Sequence, residues 1–117
     1  MNSEKLNTVV KDVMPLLSGK WKMQIVSFLL RNGKTRFMDL RRGVAGISSK
    51  VLSDELQELE HCKIVSRKVV SSKLISVAYE LTKHGKTLET VILTIASWGA
   101  AHRRYLSQNA HRASKQP

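Results

Sequence analysis

The sequence predicts a small, mainly α-helical domain with one β-hairpin, and three observations support this fold class. A capped amphipathic helix is expected at about 48–60. Two runs of alternating apolar and polar residues follow at 64–81, and amphipathic segments lie near both ends of the chain. The length of 117 residues and the hydrophobic fraction of 42% suit one domain with a single core.

The chain is strongly basic, with 20 Lys and Arg against 9 Asp and Glu and a formal net charge of +11. Such an excess in a short chain favours a polyanionic partner, usually nucleic acid. The alternative is that the charge only keeps the protein soluble. A basic helix lying on a membrane is disfavoured, because the charge is spread along the whole chain.

The sequence contains no segment typical of a membrane span and no set of cysteines typical of a disulfide-bonded domain. The sequence has neither an apolar run long enough to span a bilayer nor an N-terminal signal pattern, so no membrane partner is expected. Cys62 is the only cysteine, which excludes an intrachain disulfide and disfavours a cysteine-based metal site. We therefore expect a cytoplasmic protein without a metal or other cofactor.

The first helix is predicted from Ser3, a capping residue, to about Val13. Leu6, Val9 and Val13 form an apolar stripe along it. Pro15 interrupts this pattern, and either kinks the helix or starts a second short one.

A second, buried helix is predicted from Trp21 to Leu30, with Trp21 in the core. Asn32-Gly33 ends it, because both residues tolerate a left-handed backbone. Residues 34–36 are long enough only for a small edge strand.

A helix-turn-helix is predicted next. Its first helix runs from Phe37 to Val44, with Leu40 inward and Arg41 and Arg42 outward, and a glycine-bearing turn follows it.

The second helix of this motif has the features of a DNA recognition helix. Ser48 is a good N-cap, and Ile47 can pack on Leu52 as a hydrophobic staple. Leu52, Leu56 and Leu59 share the inward face. The outward face carries short polar residues near the N-terminus, as a helix that reads the major groove requires. An ordinary amphipathic surface helix is the alternative.

Two alternating runs, Ile64 to Val70 and Leu74 to Leu81, predict a β-hairpin about a polar turn. A hairpin directly after a helix-turn-helix is the wing of a winged helix-turn-helix. We expect Lys68 and Lys73 at its tip, where they suit phosphate contact or are simply solvated.

The last helix is predicted from a Thr82 cap to about Leu106. Its apolar stripe recurs at near-heptad spacing and consists of Leu88, Val91, Ile95, Trp98 and Tyr105, with His102 in register. So wide a stripe favours packing against a second copy, with the first helix as its complement. Residues 107–117 are polar and basic and are expected to form a mobile tail.

Short motifs lie along the chain between Thr8 and Leu106. They are Gly19-Lys20-Trp21, Arg36-Phe37, Leu40-Arg41-Arg42, Gly46-Ile47-Ser48, Lys50-Val51-Leu52-Ser53, Leu56, Glu58-Leu59-Glu60, Tyr79-Glu80-Leu81-Thr82, Gly85, Leu88 and Trp98. In order and spacing they resemble the HxlR-type winged helix-turn-helix regulators of bacteria and archaea. The resemblance implies one domain, 1–106. It also implies a homodimeric transcription regulator whose terminal helices, 3–14 and 83–106, build the dimer.

The chain departs from this family at several positions. Many members carry a Cys-Pro pair, in some a sensor of electrophiles or oxidants, where this chain has Thr8-Val9. We therefore expect Cys62 to be a semi-buried structural residue and not a redox sensor. Ser49 stands where Pro is frequent, Glu55 where a basic residue is frequent, and Lys63 where Gly is usual. The predicted wing also lacks the family's prolines.

DNA binding needs base contacts for sequence and phosphate contacts for position. The predicted base-reading residues are Ser49, Lys50, Ser53, Asp54 and Gln57. The predicted phosphate-contacting residues are Arg36, Arg41, Arg42, Ser48, Lys68 and Lys73. The predicted dimer interface comprises Leu6, Val9, Val13, Ile95, Trp98, His102 and Tyr105.

The acidic residues of the recognition helix oppose this interpretation, because carboxylates repel phosphates. We expect Glu55, Glu58 and Glu60 to lie away from the DNA backbone, paired with nearby Lys or Arg. Asp54 either accepts from a cytosine amino group or stands off from the DNA.

Two other function classes compete with a regulator. An enzyme is disfavoured, because His61, His84, His102 and His111 lack metal-ligand spacing and the chain has no phosphate loop or nucleophile elbow. A protein-interaction module would leave the basic excess unexplained. The expected partners are therefore double-stranded DNA with a palindromic operator and a second copy of the chain. A small-molecule effector is compatible with this scheme, although no residue identifies one.

Overall fold

The computed structural model describes residues 1–71, 73 and 76–115, and the side chains of the last helix as far as Ala110. The chain divides into a first unit, Met1–Thr87, and a second unit that begins at Leu88. In chain order the elements are α1 (Ser3–Leu17), α2 (Lys22–Asn32), β1 (Thr35–Arg36), α3 (Phe37–Gly43), α4 (Ser49–His61), β2 (Val65–Ser71), β3 (Ser76–Leu81), a 3₁₀ turn (Gly85–Thr87) and α5 (Leu88–Lys115).

Helix α1 differs from its prediction at both ends. Asn2, not Ser3, is the N-cap, because its side-chain oxygen accepts a 2.8 Å hydrogen bond from the Lys5 backbone N–H. The helix continues through Pro15 to Leu17, so Pro15 does not end it. None of its residues is buried, and its apolar stripe is exposed.

Helix α2 provides one wall of the core through Ile25, Val26 and Leu29. Trp21 was expected in the core but is only half-buried. It occupies the N-cap position just before the helix, and the Lys20 ammonium lies 4.6 Å from the centre of its ring. The predicted end at Asn32-Gly33 is confirmed, with Gly33 at φ +70°.

The core of the first unit is apolar throughout. Its fully buried members are Ile25, Val26, Leu40, Leu52, Leu56 and Leu59. The three leucines of α4 recur at helical spacing, so one whole face of that helix is fixed against the core, as predicted. This packing determines which residues the opposite face presents to solvent.

The three strands form an antiparallel sheet in the order β1-β3-β2. Thr35 pairs with Tyr79, which confirms the small edge strand, and Val65 pairs with Leu81 in the predicted hairpin. The register shifts between Val69 and Ser71, near the turn. Leu74 and Ile75, which were assigned to the second strand, lie outside the described residues.

The connection after β3 corrects the role expected for Thr82. Its hydroxyl accepts a 2.8 Å hydrogen bond from the Gly85 N–H and so caps the 3₁₀ turn, whereas α5 begins later, at Leu88. Gly85 is required there, because a Cβ at this position would overlap the carbonyl oxygen of Ile64.

Helix α5 continues past Leu106 to Lys115, beyond its predicted end. The sequence after Leu106 contains no glycine and no proline before Pro117, so nothing local stops the helix. The Asn109 side chain also donates back to the Tyr105 carbonyl at 3.0 Å. Residues 107–115 are therefore helical in the structure, where a tail was expected.

Candidate nucleic-acid interface

Helices α3 and α4 form the predicted helix-turn-helix. The Val44 N–H donates to the Leu40 carbonyl at the end of α3, and the chain then reverses through Gly46 at φ +85°. Gly43 allows the close approach of α2, because a Cβ there would overlap the Phe28 ring.

The start of α4 is built as predicted. The Ser48 hydroxyl accepts a 3.2 Å hydrogen bond from the Val51 N–H, which satisfies one of the free donors of the first turn. Ile47, just before the cap, and Leu52 in the next turn are both buried, consistent with a hydrophobic staple. The N-terminal turn of α4 is thus held at a defined place.

The end of α4 is a Schellman motif centred on Lys63. The Ile64 N–H donates to the Leu59 carbonyl and the Lys63 N–H to the Glu60 carbonyl, both at 3.0 Å. Lys63 has φ +65°, and it is the one non-glycine residue with positive φ in the part of the chain that the structure describes. A glycine would adopt this conformation without strain.

The outward row of α4 is exposed. Ser49, Lys50, Ser53, Asp54 and Gln57 all face solvent, so every predicted base-reading residue is accessible. Lys50 and Asp54 pair with each other, Nζ to Oδ2 at 3.2 Å, one helical turn apart. The pair is exposed, so it is worth only about 0.3–0.5 kcal/mol and can open for a DNA contact.

Two carboxylates of α4 share one counter-charge, the Lys22 ammonium of α2. The Lys22 Nζ lies 2.8 Å from the Glu55 Oε2 and 2.5 Å from the Glu58 Oε2. The pairing with Glu55, followed by that with Glu58, raises the pKa of Lys22 above its ordinary value. The predicted pairing is confirmed for these two carboxylates.

The predicted phosphate-contacting residues are also exposed. Arg36, Arg41, Arg42, Ser48, Lys68 and Lys73 all face solvent. Arg42 forms an ion pair with Asp39 on α3. An open depression of about 580 Å³ brings Arg36 and Arg42 together with Ser53 of α4.

The position of Lys68 differs from its prediction. It lies within β2, opposite Ala78, and not at the hairpin tip. Its ammonium is 2.5 Å from the Glu80 carboxylate on the neighbouring strand, and this contact lowers the pKa of Glu80. Cross-strand neighbours lie close enough for such pairs. Lys73 lies in the turn and is exposed, as expected.

Cys62 is exposed, which corrects the expectation of a semi-buried residue. It is the C-cap of α4, and its backbone N–H donates to the Glu58 carbonyl at 3.0 Å. At the end of a helix the backbone is held by capping bonds, so the side chain is free to point to solvent.

The predicted dimer residues are exposed on their own helices. On α1, Leu6, Val9 and Val13 are 51%, 40% and 39% exposed. On α5, Trp98 is 66% exposed, and its ring stacks on His102 at 4.8 Å between ring centres. Ile95 and Tyr105 are exposed on the same helix. Both helices thus carry apolar surface that water covers in the single chain.

Lys22 is the functional candidate that the sequence analysis missed. Its carboxylate partners lie on another helix, so no periodicity or local spacing links them. The position of Lys22 at the start of α2 also gives no indication in the nearby sequence that it forms such a pair.

Membrane-spanning helices and clusters of metal ligands are absent from the described residues. Within residues 1–71, 73 and 76–115, no helix has the length and apolar character to cross a bilayer. The same residues contain no group of three His, Cys, Asp or Glu side chains that could hold a metal ion.

Comparison with known proteins gives the family. The model of the HxlR-like helix-turn-helix family matches residues 16–107. The HTH-type transcriptional regulator YtcD of Bacillus subtilis is 34% identical over 102 residues, which cover 87% of this chain and 80% of YtcD.

Solved structures agree with this assignment. The reduced redox regulator HypR superposes with a TM-score of 0.76 at 34% identity, covering 85% of this chain and 97% of HypR. The reduced transcriptional regulator YodB from B. subtilis gives a TM-score of 0.69 at 30% identity, with coverages of 84% and 90%. These proteins are regulators and not enzymes. The chain belongs to the HxlR-like helix-turn-helix family and is a DNA-binding transcription regulator with a winged helix-turn-helix fold.

Proposed function

We propose that the protein binds an operator in double-stranded DNA as a homodimer, with α4 in the major groove. The observation that carries the proposal is the division of α4 into two faces. Leu52, Leu56 and Leu59 are fully buried, while the row from Ser49 to Gln57 is exposed. A helix held firmly on one face and polar on the other suits insertion into a groove about 12 Å wide.

The base-reading residues in this proposal are Ser49, Lys50, Ser53, Asp54 and Gln57. A Gln side chain pairs with the two major-groove groups of adenine, and Lys donates to the acceptors of guanine. Asp54 serves as an acceptor for a cytosine amino group. Lys50 must leave Asp54 to reach a base, at the small cost of an exposed ion pair.

Phosphate contacts come from α3, the N-cap of α4 and the wing, which is the β2–β3 hairpin. The proposed residues are Arg36, Arg41, Arg42, Ser48, Lys68 and Lys73. Arg41 forms no ion pair with any residue that the structure describes, so its charge is available to DNA. The Lys68 ammonium already pairs with the Glu80 carboxylate, and a phosphate would have to compete with it. Lys68 is therefore a weaker candidate than Arg41 for a phosphate contact.

The homodimer would bury the apolar surfaces of α1 and α5. Burial of Leu6, Val9 and Val13, together with Ile95, Trp98, His102 and Tyr105, removes from water the surface that the single chain exposes. Two identical reading helices require a roughly palindromic operator. In bacteria and archaea such a protein works in the cytoplasm, beside the chromosome. A small-molecule effector of unknown identity would act by favouring one dimer geometry.

The salt dependence of DNA binding tests this proposal. We expect the affinity for a duplex to fall steeply with salt, with a log–log slope that gains about 0.9 for each phosphate contact. Fluorescence anisotropy of a labelled duplex across a salt series measures this slope. A slope near zero would favour a protein-interaction module over a DNA-binding one.

A further inference from the structure

The ammonium of Lys22 connects α2 to the recognition helix. Lys22 is the first residue of α2, and it lies 2.8 Å from the Glu55 carboxylate and 2.5 Å from the Glu58 carboxylate of α4. The Lys22 side chain is 14% exposed and that of Glu55 is 22% exposed. The Lys22–Glu55 contact is therefore partly shielded from solvent, and salt screens it less than it screens a fully exposed ion pair.

Glu55 depends on this cation. Its Oε2 atom is completely buried, and a buried carboxylate without a counter-charge is costly. Without Lys22, the carboxylate would have to turn out into water to be solvated. Turning out would break the contact with α2, and α4 would lose a polar restraint beside its buried leucines.

The clamp, defined as Lys22 with Glu55 and Glu58, adjoins the base-reading row. Lys22 and Glu58 line the same open depression as Asp54 and Gln57. At roughly 100° per residue, Asp54 and Glu58 are about 40° apart around α4. A rotation of α4 that hydrates Glu55 would therefore also move Asp54 and Gln57.

We propose that Lys22 is a positioning residue for sequence recognition. The buried leucines determine which face of α4 is outward, and Lys22 limits small rotations of the helix through Glu55 and Glu58. It acts through the helix and needs no contact with DNA. This inference rests on the proposed function, since it supposes that α4 reads bases and that Lys22 affects how well α4 distinguishes one DNA sequence from another.

The experiment measures sequence discrimination. The wild-type protein selects a preferred duplex from a random pool, and each variant is then titrated against that duplex and a scrambled one of equal length and composition. For Lys22→Met we expect the ratio of the two affinities to fall about tenfold, the size of one lost base contact. Lys22→Arg keeps the charge and should stay close to wild type.

Two controls separate positioning from charge and from stability. Lys20→Met removes one positive charge two residues away, where the side chain lies over Trp21, and should leave the ratio unchanged. The triple variant K22M/E55Q/E58Q has no carboxylate to hydrate and should regain most of the ratio. Partial unfolding lowers both affinities alike, so it cannot change their ratio.

Glu58→Gln is the milder variant in case Lys22→Met does not fold. Glu58 is 64% exposed and Glu55 keeps its cation, so only one arm of the clamp is lost. We expect the ratio to fall about threefold, as for the loss of an exposed ion pair.

Unchanged ratios in the folded clamp variants would overturn the inference and leave the proposed function intact. A triple variant as poor as Lys22→Met would also overturn it, because the buried charge would then not be the cause. A wild type that selects no sequence would overturn the proposed function, and the inference with it.

Discussion

Lys63 ends α4 in a conformation that L-amino acids seldom adopt. Its φ of +65° brings its own N–H and that of Ile64 onto the last carbonyls of α4. The left-handed conformation costs an L-residue about 1–2 kcal/mol. The capping bonds and the burial of Ile64 offset this strain.

We expect Lys63→Gly to stabilise the protein by about 1 kcal/mol. Glycine removes the backbone strain, but it loses more conformational entropy on folding, which offsets part of the gain. Urea unfolding followed by circular dichroism measures the change. Gln57→Gly is the control, since Gln57 is exposed in the middle of α4, and it should destabilise by about 1 kcal/mol. If Lys63→Gly lowers the free energy of unfolding, the account of this helix end is wrong.

Among the elements, the proposal assigns base contacts to α4 and phosphate contacts in part to α3. Gln57 lies on the exposed row of α4, while Arg41 lies on α3 and is exposed. Base contacts discriminate between sequences, whereas phosphate contacts do not.

We expect Arg41→Ala to weaken binding to all duplexes by a similar factor and to reduce the salt slope by about 0.9. Gln57→Ala should change which duplex is preferred, by about fivefold or more at one base pair. Selection from a random pool, repeated with each variant, compares the two. An unchanged preference for Gln57→Ala would mean that the reading face is assigned wrongly.

Periodic features of the elements were predictable from sequence. The leucines of α4 recur every three to four residues, so both its buried and its exposed face followed from spacing alone. The alternating residues of the hairpin predicted β2 and β3 in the same way. Such patterns show which face of a helix or strand packs against the core.

Helix ends were harder to predict, because neighbouring residues offer equivalent signals. Asn2 and Ser3 are both good caps, and only the fold shows that Asn2 accepts the bond. Pro15 did not end α1. The polar sequence after Leu106 predicted a tail, but it contains no residue that stops a helix before Pro117, and α5 continues to Lys115. The ends of a helix depend on several weak local preferences, such as capping and helix propensity, and these nearly balance.

Contacts between distant parts of the chain could not be predicted. The pairing of Lys22 with Glu55 and Glu58 requires the packing of α2 on α4, which no local pattern records. The exposure of Cys62 likewise depends on how the chain leaves α4. The exposed row of α4 was thus predicted by residue, but the clamp beside it was not.

The exposed apolar stripes of α1 and α5 are the basis for proposing that the whole protein is a dimer. Val9 is 40% exposed on α1 and Trp98 is 66% exposed on α5. A two-fold dimer presents two copies of α4 to one duplex, which a monomer cannot do. The spacing of the two contacts on DNA therefore reports both dimerisation and groove binding.

A hydroxyl-radical and methylation-protection footprint, on the duplex that the wild-type protein selects, tests directly whether a dimer places both copies of α4 in the major groove. We expect two symmetric protected regions in successive major grooves, about 10–10.5 base pairs or a multiple apart. Val9→Asp, which would bury a carboxylate at the proposed interface, should require a much higher concentration for the same pattern. A single protected region, or protection confined to the minor groove, would contradict the account.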